Sequence, residues 1–235
     1  MVSERQKAIL FAVIDEHIKG AEPISSHMVC ETFDFGVSPA TMRNEFAKLE
    51  EEGYLYQPHT SAGRVPTDKG YRLFVNALLA DRANNNRKMR EAFQRITDVQ
   101  QEAYAVFSEF AKIAASFSGN TAFSGSLGTH AFFKSGMHEA LRQPELADSL
   151  FRERFGDAVD SFDENLGSFF DTLDRNGVSV FIGKENPIAK AKDFSMLVSR
   201  FRTSSNEGIV VIFGPKRMDY RKGLDVLNAL HNLLE

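Results

Sequence analysis

Length, composition and charge restrict the class of protein. The chain has 235 residues, which corresponds to one or two domains, and 43% of them are hydrophobic, enough for substantial cores. With 21 Phe and no Trp, these cores are expected to be rich in phenylalanine. The single Cys excludes a disulfide framework and fits a reducing compartment. No apolar run reaches the roughly 20 residues that span a bilayer. We therefore expect a cytoplasmic protein that is not bound to a membrane.

The formal net charge of −4 argues mildly against nucleic-acid binding. However, one short stretch concentrates basic side chains: Arg43, His59, Arg64, Lys69 and Arg72. Acidic residues gather elsewhere, for example at residues 50–52 and between residues 148 and 174. Because DNA binding requires a local basic face rather than a basic chain, the net charge does not exclude it.

The first elements are predicted to be helices. Ser3 and Gln6 have the spacing of a capping box, and apolar residues at helical spacing then predict a helix over about residues 4–19, ended by Gly20. Ser25 and Ser26 start a short second helix, which is expected to direct Met28, Val29 and Phe33 inward.

A third helix is predicted to begin at Ser38, with Pro39 in the first helical position. Met42, Phe46 and Leu49 form its apolar stripe. A strand at 54–56, a polar hairpin tip at 59–64, a return strand from Val65 and a fourth helix capped by Thr67 follow. This order is that of a winged helix-turn-helix domain, here residues 1–80.

The third helix and the hairpin carry the side chains that DNA recognition requires. Helices of this kind present their N-terminal residues to base edges in the major groove. Arg pairs bidentately with guanine and Asn with adenine, while hairpin residues contact the backbone or minor groove. The predicted DNA-binding residues are Ser38, Thr41, Arg43, Asn44, Lys48, His59, Thr60, Ser61 and Arg64.

Functions other than DNA binding have weaker support in the sequence. A winged helix can serve as a protein-interaction module, and Arg43 can instead pair with Glu50 on its own helix. His27 and Cys30 supply only two ligands, too few for a structural zinc site. Because no nucleophile elbow or catalytic carboxylate pair stands out, we expect no enzyme activity, no metal and no cofactor.

Five segments of the sequence resemble the HrcA family of bacterial heat-inducible transcription repressors. Three lie in the first third of the chain, at residues 38–45 (Ser-Pro-Ala-Thr-Met-Arg-Asn-Glu), 49–55 and 57–72. Two lie near the C-terminus, at residues 182–187 (Ile-Gly-Lys-Glu-Asn-Pro) and 214–220 (Gly-Pro-Lys-Arg-Met-Asp-Tyr). Together they indicate a relative of the whole family protein rather than a borrowed DNA-binding domain.

The resemblance implies a homodimer that represses chaperone operons at an inverted-repeat operator, the CIRCE element. It also implies a GroEL-type chaperonin as a partner that keeps the repressor active, and a regulatory domain of GAF-like fold. This chain departs from the family in length, because family members are usually about a hundred residues longer. The segment from Phe117 to about Val178 looks shortened, and this affects the usual dimer interface.

The second half is predicted to be a reduced GAF-like α+β domain over residues 89–235, after a linker at 81–88. A long helix over about 88–117 carries a heptad seam that includes Phe107 and Phe110, and this seam can cover a sheet, pack against a second copy, or do both. Strands are predicted at 121–123, 178–182, 194–201 and 208–213, and a final helix from Asp219.

Between these strands we predict a Gly-rich turn at 124–129 and helices at about 136–142, 145–155 and 159–175. An alternative function is a metabolite-gated regulator, which would have a pocket with convergent polar groups in the second domain.

Overall fold

The computed structural model describes residues 2–81, 89, 91–94, 103–126, 132–169, 173, 177–202 and 207–234. The chain divides into two compact units, Met1–Ala80 and Asp81–Glu235. Of the predicted linker at 81–88, all but Asp81 lies outside the described residues. Among the described residues, no helix is both long and apolar enough to cross a membrane.

The first unit contains four helices and a hairpin. In chain order they are α1 (Glu4–Gly20), α2 (Ser26–Thr32), α3 (Pro39–Glu51), β1 (Leu55–Tyr56), β2 (Val65–Pro66) and α4 (Asp68–Ala80). The two strands pair antiparallel, with Leu55 opposite Pro66 and Tyr56 opposite Val65. We call the hairpin of residues 55–66 the wing.

Local capping sets the helix boundaries of this unit. The predicted capping box is confirmed, because the Gln6 amide donates to Ser3 Oγ and the Ser3 amide donates to Gln6 Oε1. Ser25 and Ser38 cap α2 and α3 through a single bond each, since their side chains accept from the amides of Met28 and Thr41, and Thr67 Oγ1 accepts from the Gly70 amide at the start of α4. Such caps satisfy amides that have no partner inside the helix.

The core of the first unit joins all its helices. Its fully buried members include Ile9, Leu10, Val13, Ile14, Val29, Met42, Leu49, Phe74 and Val75. The prediction that Met28 points inward was wrong, because this residue is 37% exposed. In the seven-residue helix α2, only Val29 is buried, so this short helix contributes little to the core.

The second unit is built on a five-stranded antiparallel sheet. Its elements are α5 (Ala103–Ser118), β3 (Thr121–Ser126), β4 (Phe132–Ser135), α6 (Met137–Leu141), α7 (Ser149–Phe169), β5 (Val178–Ile182), β6 (Phe194–Arg202), β7 (Glu207–Pro215) and α8 (Tyr220–Leu234). The strand order is β4-β3-β7-β6-β5, so that the apolar strand β7 is central. The prediction of an α+β fold is confirmed.

One face of the sheet packs against α7 through phenylalanine rings. Phe213 in β7 contacts Phe155 and Phe162 of α7, with ring centroids 5.8 and 5.0 Å apart. Phe162 also stacks on Phe123 of β3 at 4.5 Å. The expected phenylalanine-rich core is therefore confirmed, and such ring pairs add to the free energy gained by burial alone.

The sequence predicted two separate helices at about 145–155 and 159–175, but α7 is continuous from Ser149 to Phe169. Gly156 costs a helix about 1 kcal/mol relative to Ala. Burial of Phe155, Val159 and Phe162 against the sheet outweighs this cost. Residues 144–147 form a 3-10 helix instead.

The predicted Gly-rich turn at 124–129 was also wrong in part. Residues 124–126 belong to β3, where Ser124 pairs with Val210 and Gly125 with Ile209. These residues join a central ladder whose hydrogen bonds compensate for the low strand preference of Gly. Residues 127–131 lie outside the described part of the chain.

The described part of the predicted long helix covers the sheet. Residues 91–94 are helical and α5 runs from Ala103 to Ser118, while residues 95–102 and Gln100 with them are not described. Phe110 is fully buried and Phe107 is 3% exposed, and both rings pack on Phe201 of β6 at 5.2 and 5.8 Å. These two seam residues are therefore core residues within one chain.

Candidate nucleic-acid interface

Helix α3 begins with a cap that the side chains of Ser38 and Thr41 share. Ser38 Oγ accepts from the Thr41 amide at 3.2 Å and lies 3.0 Å from Thr41 Oγ1. Pro39 occupies the first turn. Both hydroxyls therefore fix the start of α3, at the helix end where the dipole favours an anion such as a phosphate.

The exposed face of α3 carries the predicted base-reading residues. Arg43, Asn44 and Lys48 are exposed, whereas Met42, Phe46 and Leu49 are buried on the opposite face. Within the described residues, none of these three exposed side chains has a hydrogen-bond or ion-pair partner in the chain. In particular, Arg43 does not pair with Glu50, whose carboxylate is bound to Arg64. Their donors are available to an external acceptor.

The tip of the wing projects three more predicted residues. His59, Thr60 and Ser61 are exposed. Gln57, which the sequence analysis missed, holds the tip, because its Nε2 donates to the carbonyls of Thr60 and Ala62 at 3.0 and 2.9 Å. A side chain that satisfies two loop carbonyls restricts the tip to one conformation.

Arg64 is placed differently from the other predicted contacts. Its side chain is only 21% exposed, and its Nε and Nη2 donate to Glu50 Oε2 at 2.9 and 2.8 Å. Its backbone forms an isolated antiparallel bridge with Ile24, through hydrogen bonds of 2.7 and 2.9 Å. The wing is thus attached both to α3 and to the segment between α1 and α2.

A second ion pair, also missed from the sequence, links α3 to α1. Arg5 Nη2 donates to Glu45 Oε1 at 2.7 Å. The end of α3 has a further contact, because Lys69 Nζ donates to the carbonyl of Glu52 at 2.7 Å and lies over the ring of Tyr54. Three arginine or lysine side chains near α3 therefore make contacts within the unit itself.

Replacing Gly63 with Ala is expected to destabilise the first unit. An added Cβ would lie 2.5 Å from the backbone C and O of Ile24, and backbone atoms cannot move aside as a flexible side chain can. Overpacking of this kind costs about 1–3 kcal/mol. Urea unfolding measures the change in the free energy of unfolding.

Gly20→Ala is the matched control for Gly63→Ala. Gly20 is the last residue of α1 and has no neighbouring atom within 4 Å of an added Cβ. This variant should be neutral or slightly more stable, because Ala restricts the unfolded chain. Equal stability of the two variants would contradict the contact between the wing and Ile24.

Few of the described residues could act together as metal ligands. No group of three or more potential His, Cys, Asp or Glu ligands occurs among them. His27 pairs with Glu31 at 3.0 Å rather than with Cys30. A cleft of about 310 Å³ lies beside the turn between α2 and α3, lined by residues 30–37 and Met42.

Comparison with known proteins relates the whole chain to one family. Residues 70–223 match the family model described as HrcA protein C terminal domain. The heat-inducible transcription repressor HrcA of Geobacter sulfurreducens is 27% identical, covering 99% of this chain and 97% of the relative. That alignment spans 335 positions against 235 residues here, so the relative is longer, as the sequence analysis expected.

Similarity is higher over shorter segments. The Thermoanaerobacter sp. repressor HrcA is 42% identical over 120 residues, which cover 51% of this chain and 34% of the relative. A crystal structure at 2.2 Å resolution, of a protein described only as hypothetical, superposes with a TM-score of 0.78 at 19% identity. It covers 100% of this chain and 98% of its own, which shows a shared fold.

The family model, over residues 70–223, matches more than half of this chain. The chain therefore belongs to the HrcA family.

Proposed function

We propose that this chain is a transcriptional repressor of heat-shock genes that encode chaperones. The observation that carries the proposal is the exposed face of α3, where Arg43, Asn44 and Lys48 have donors without partners in the described chain, beside the exposed wing tip. The family supports the proposal, because its curated members are named heat-inducible transcription repressors.

In the proposed complex, the first unit acts as a winged helix-turn-helix. Arg43 and Asn44 read base edges in the major groove, while Thr41, Lys48 and the wing tip contact the backbone. Ser38 acts through the cap of α3, near a phosphate. The second unit then acts as a reduced GAF-like regulatory domain.

The proposed assembly is a homodimer on an inverted-repeat operator of the CIRCE type, with two copies of α3 in major grooves separated by whole turns of about 34 Å. The resemblance to the family supports a GroEL-type chaperonin as the regulatory partner. We also propose a cytoplasmic location, and a role in which the chain binds DNA without catalysing a reaction.

A reporter gene behind the promoter of the host's own chaperone operon tests this proposal. In cells without the native gene, the full chain should lower reporter expression at the growth temperature, and a rise in temperature should relieve the repression. Reporter levels that are the same with and without the chain would contradict the proposed function.

A further inference from the structure

Two ion pairs join α3 to different elements of the first unit. Glu45 binds Arg5 of α1, and Glu50 binds Arg64, the residue just before β2. The first carboxylate is almost completely buried, with a side chain 4% exposed, and its arginine is 52% exposed. The partners lie 40 and 14 residues apart in sequence, so both contacts depend on the tertiary fold.

The two acidic residues border the buried stripe of α3 on opposite sides. Glu50 lies five positions after Glu45, which corresponds to about 140° around a helix with 3.6 residues per turn. Met42, Phe46 and Leu49 fall inside this sector, whereas the exposed residues of α3 from Ala40 onward fall outside it. A rotation of α3 about its axis would lengthen one ion pair or the other.

Burying the Glu45 carboxylate costs free energy, which indicates that this residue serves to orient α3. Its Oε2 is buried and has no hydrogen-bond partner among the described residues. The Arg5–Glu45 pair is partly buried, because only its carboxylate is shielded from solvent. Burying a charged pair adds little to stability compared with apolar residues of similar volume, and in some proteins such a pair selects one arrangement. Binding constellations need their side chains held within about 10–20° of the productive orientation.

We propose that these two ion pairs, Arg5–Glu45 and Arg64–Glu50, form a clamp that fixes the rotation of α3 and thereby aims Arg43 and Asn44. The inference rests on the proposed function, DNA recognition by α3. In this account Arg64 is a positioning residue that acts through Glu50, not a contact to phosphate as its sequence position predicts.

Neutralising the acids separates positioning from direct contact. If Arg64 contacts phosphate, Glu50→Gln releases the guanidinium and removes a negative charge, so affinity for every duplex rises. If the clamp aims α3, Glu50→Gln and Glu45→Gln lower affinity for the operator by about tenfold, in the range of one base contact. Affinity for a scrambled duplex is then unchanged or higher.

The control is Glu51→Gln, which removes the same charge from an exposed residue next to Glu50. It should change affinity for operator and scrambled duplex by the same factor. Fluorescence anisotropy at a temperature where all variants are folded gives both affinities. A specificity ratio that is the same in Glu50→Gln, Glu45→Gln and Glu51→Gln would overturn the clamp.

The double variant Arg64→Gln/Glu50→Gln tests whether the pair acts as a unit. The clamp predicts that the double variant loses no more operator affinity than either single variant. It also predicts that the dependence of log affinity on log salt is unchanged. A direct phosphate contact predicts instead a gain of affinity in Glu50→Gln, a loss in both variants that lack Arg64, and a salt slope lower by about one in those two variants. This outcome would overturn the inference.

Amide hydrogen exchange without DNA keeps failure of the clamp distinct from failure of the proposed function. Exchange over residues 39–51 should be faster in Glu45→Gln and Glu50→Gln than in the wild type and in Glu51→Gln. Unchanged exchange in both overturns the clamp whatever the chain binds. If exchange is faster in both variants but the wild-type chain does not distinguish operator from scrambled duplex, the result supports the clamp and refutes the proposed function.

Discussion

Replacing Arg43 and Asn44 together with Ala is expected to remove most of the preference for operator over scrambled DNA. Both side chains are exposed and have no partner among the described residues, so their removal leaves the fold intact. Each bidentate base contact contributes about 1–3 kcal/mol of discrimination. The double variant should therefore lose about 2–6 kcal/mol, or roughly 30-fold to 10⁴-fold in specificity.

Paired anisotropy titrations on matched and scrambled duplexes at one salt concentration measure this loss. Lys134→Ala is the control, because it removes one positive charge from an exposed residue of the second unit. That variant should retain the full specificity ratio. If the ratio of the Arg43/Asn44 variant equals that of the wild type, α3 does not read the bases.

Replacing Phe107 with Asp is expected to unfold the second unit rather than to yield a folded monomer. The ring is 3% exposed and packs on Phe201 within the same chain. The substitution deletes an aromatic ring, at about 3–5 kcal/mol, and places a carboxylate in an apolar environment. This loss is comparable with the whole stability of a typical domain, about 5–15 kcal/mol.

Circular dichroism and sedimentation velocity distinguish the two outcomes. Ser116→Asp introduces the same charge at an exposed position of α5, and it should leave both the fold and the oligomeric state unchanged. A Phe107→Asp chain that keeps its structure but sediments as a monomer would show that the seam belongs to a dimer interface instead.

Helix caps and the central strand could be predicted from the sequence, because their signals lie within a few adjacent residues. Ser3, Ser38 and Thr67 cap helices because a hydroxyl can accept from an amide three residues later, which is a property of a few adjacent residues. The central strand β7 was predictable for a similar reason, because its unbroken apolar run is typical of a strand covered on both faces.

Contacts between distant residues were not predictable in this way. The chain contains 32 acidic and 28 basic residues, and no spacing rule selects Arg5 for Glu45 or Arg64 for Glu50. Of the nine predicted DNA-binding residues, all but Thr41 and Arg64 lie on exposed surface. Only the tertiary fold shows that Arg64 is largely buried against Glu50.

The second unit contains further contacts that the sequence did not predict, some local and some between distant residues. Asn186 is fully buried, and its Nδ2 donates to the carbonyls of Gly183, Ala191 and Phe194. Arg217 binds Glu145 and Gln143. Asn186 and Arg217 lie in the two C-terminal segments that resemble the family, and these contacts give both residues a structural role.

A footprint on the DNA upstream of the host's chaperone genes tests the central claim most directly. The full chain should protect two half-sites of an inverted repeat, with centres separated by whole helical turns of about 34 Å. The Arg43→Ala/Asn44→Ala variant should protect neither half-site at the same concentration. Absence of protection by the wild type, or equal protection of unrelated DNA, would contradict the account.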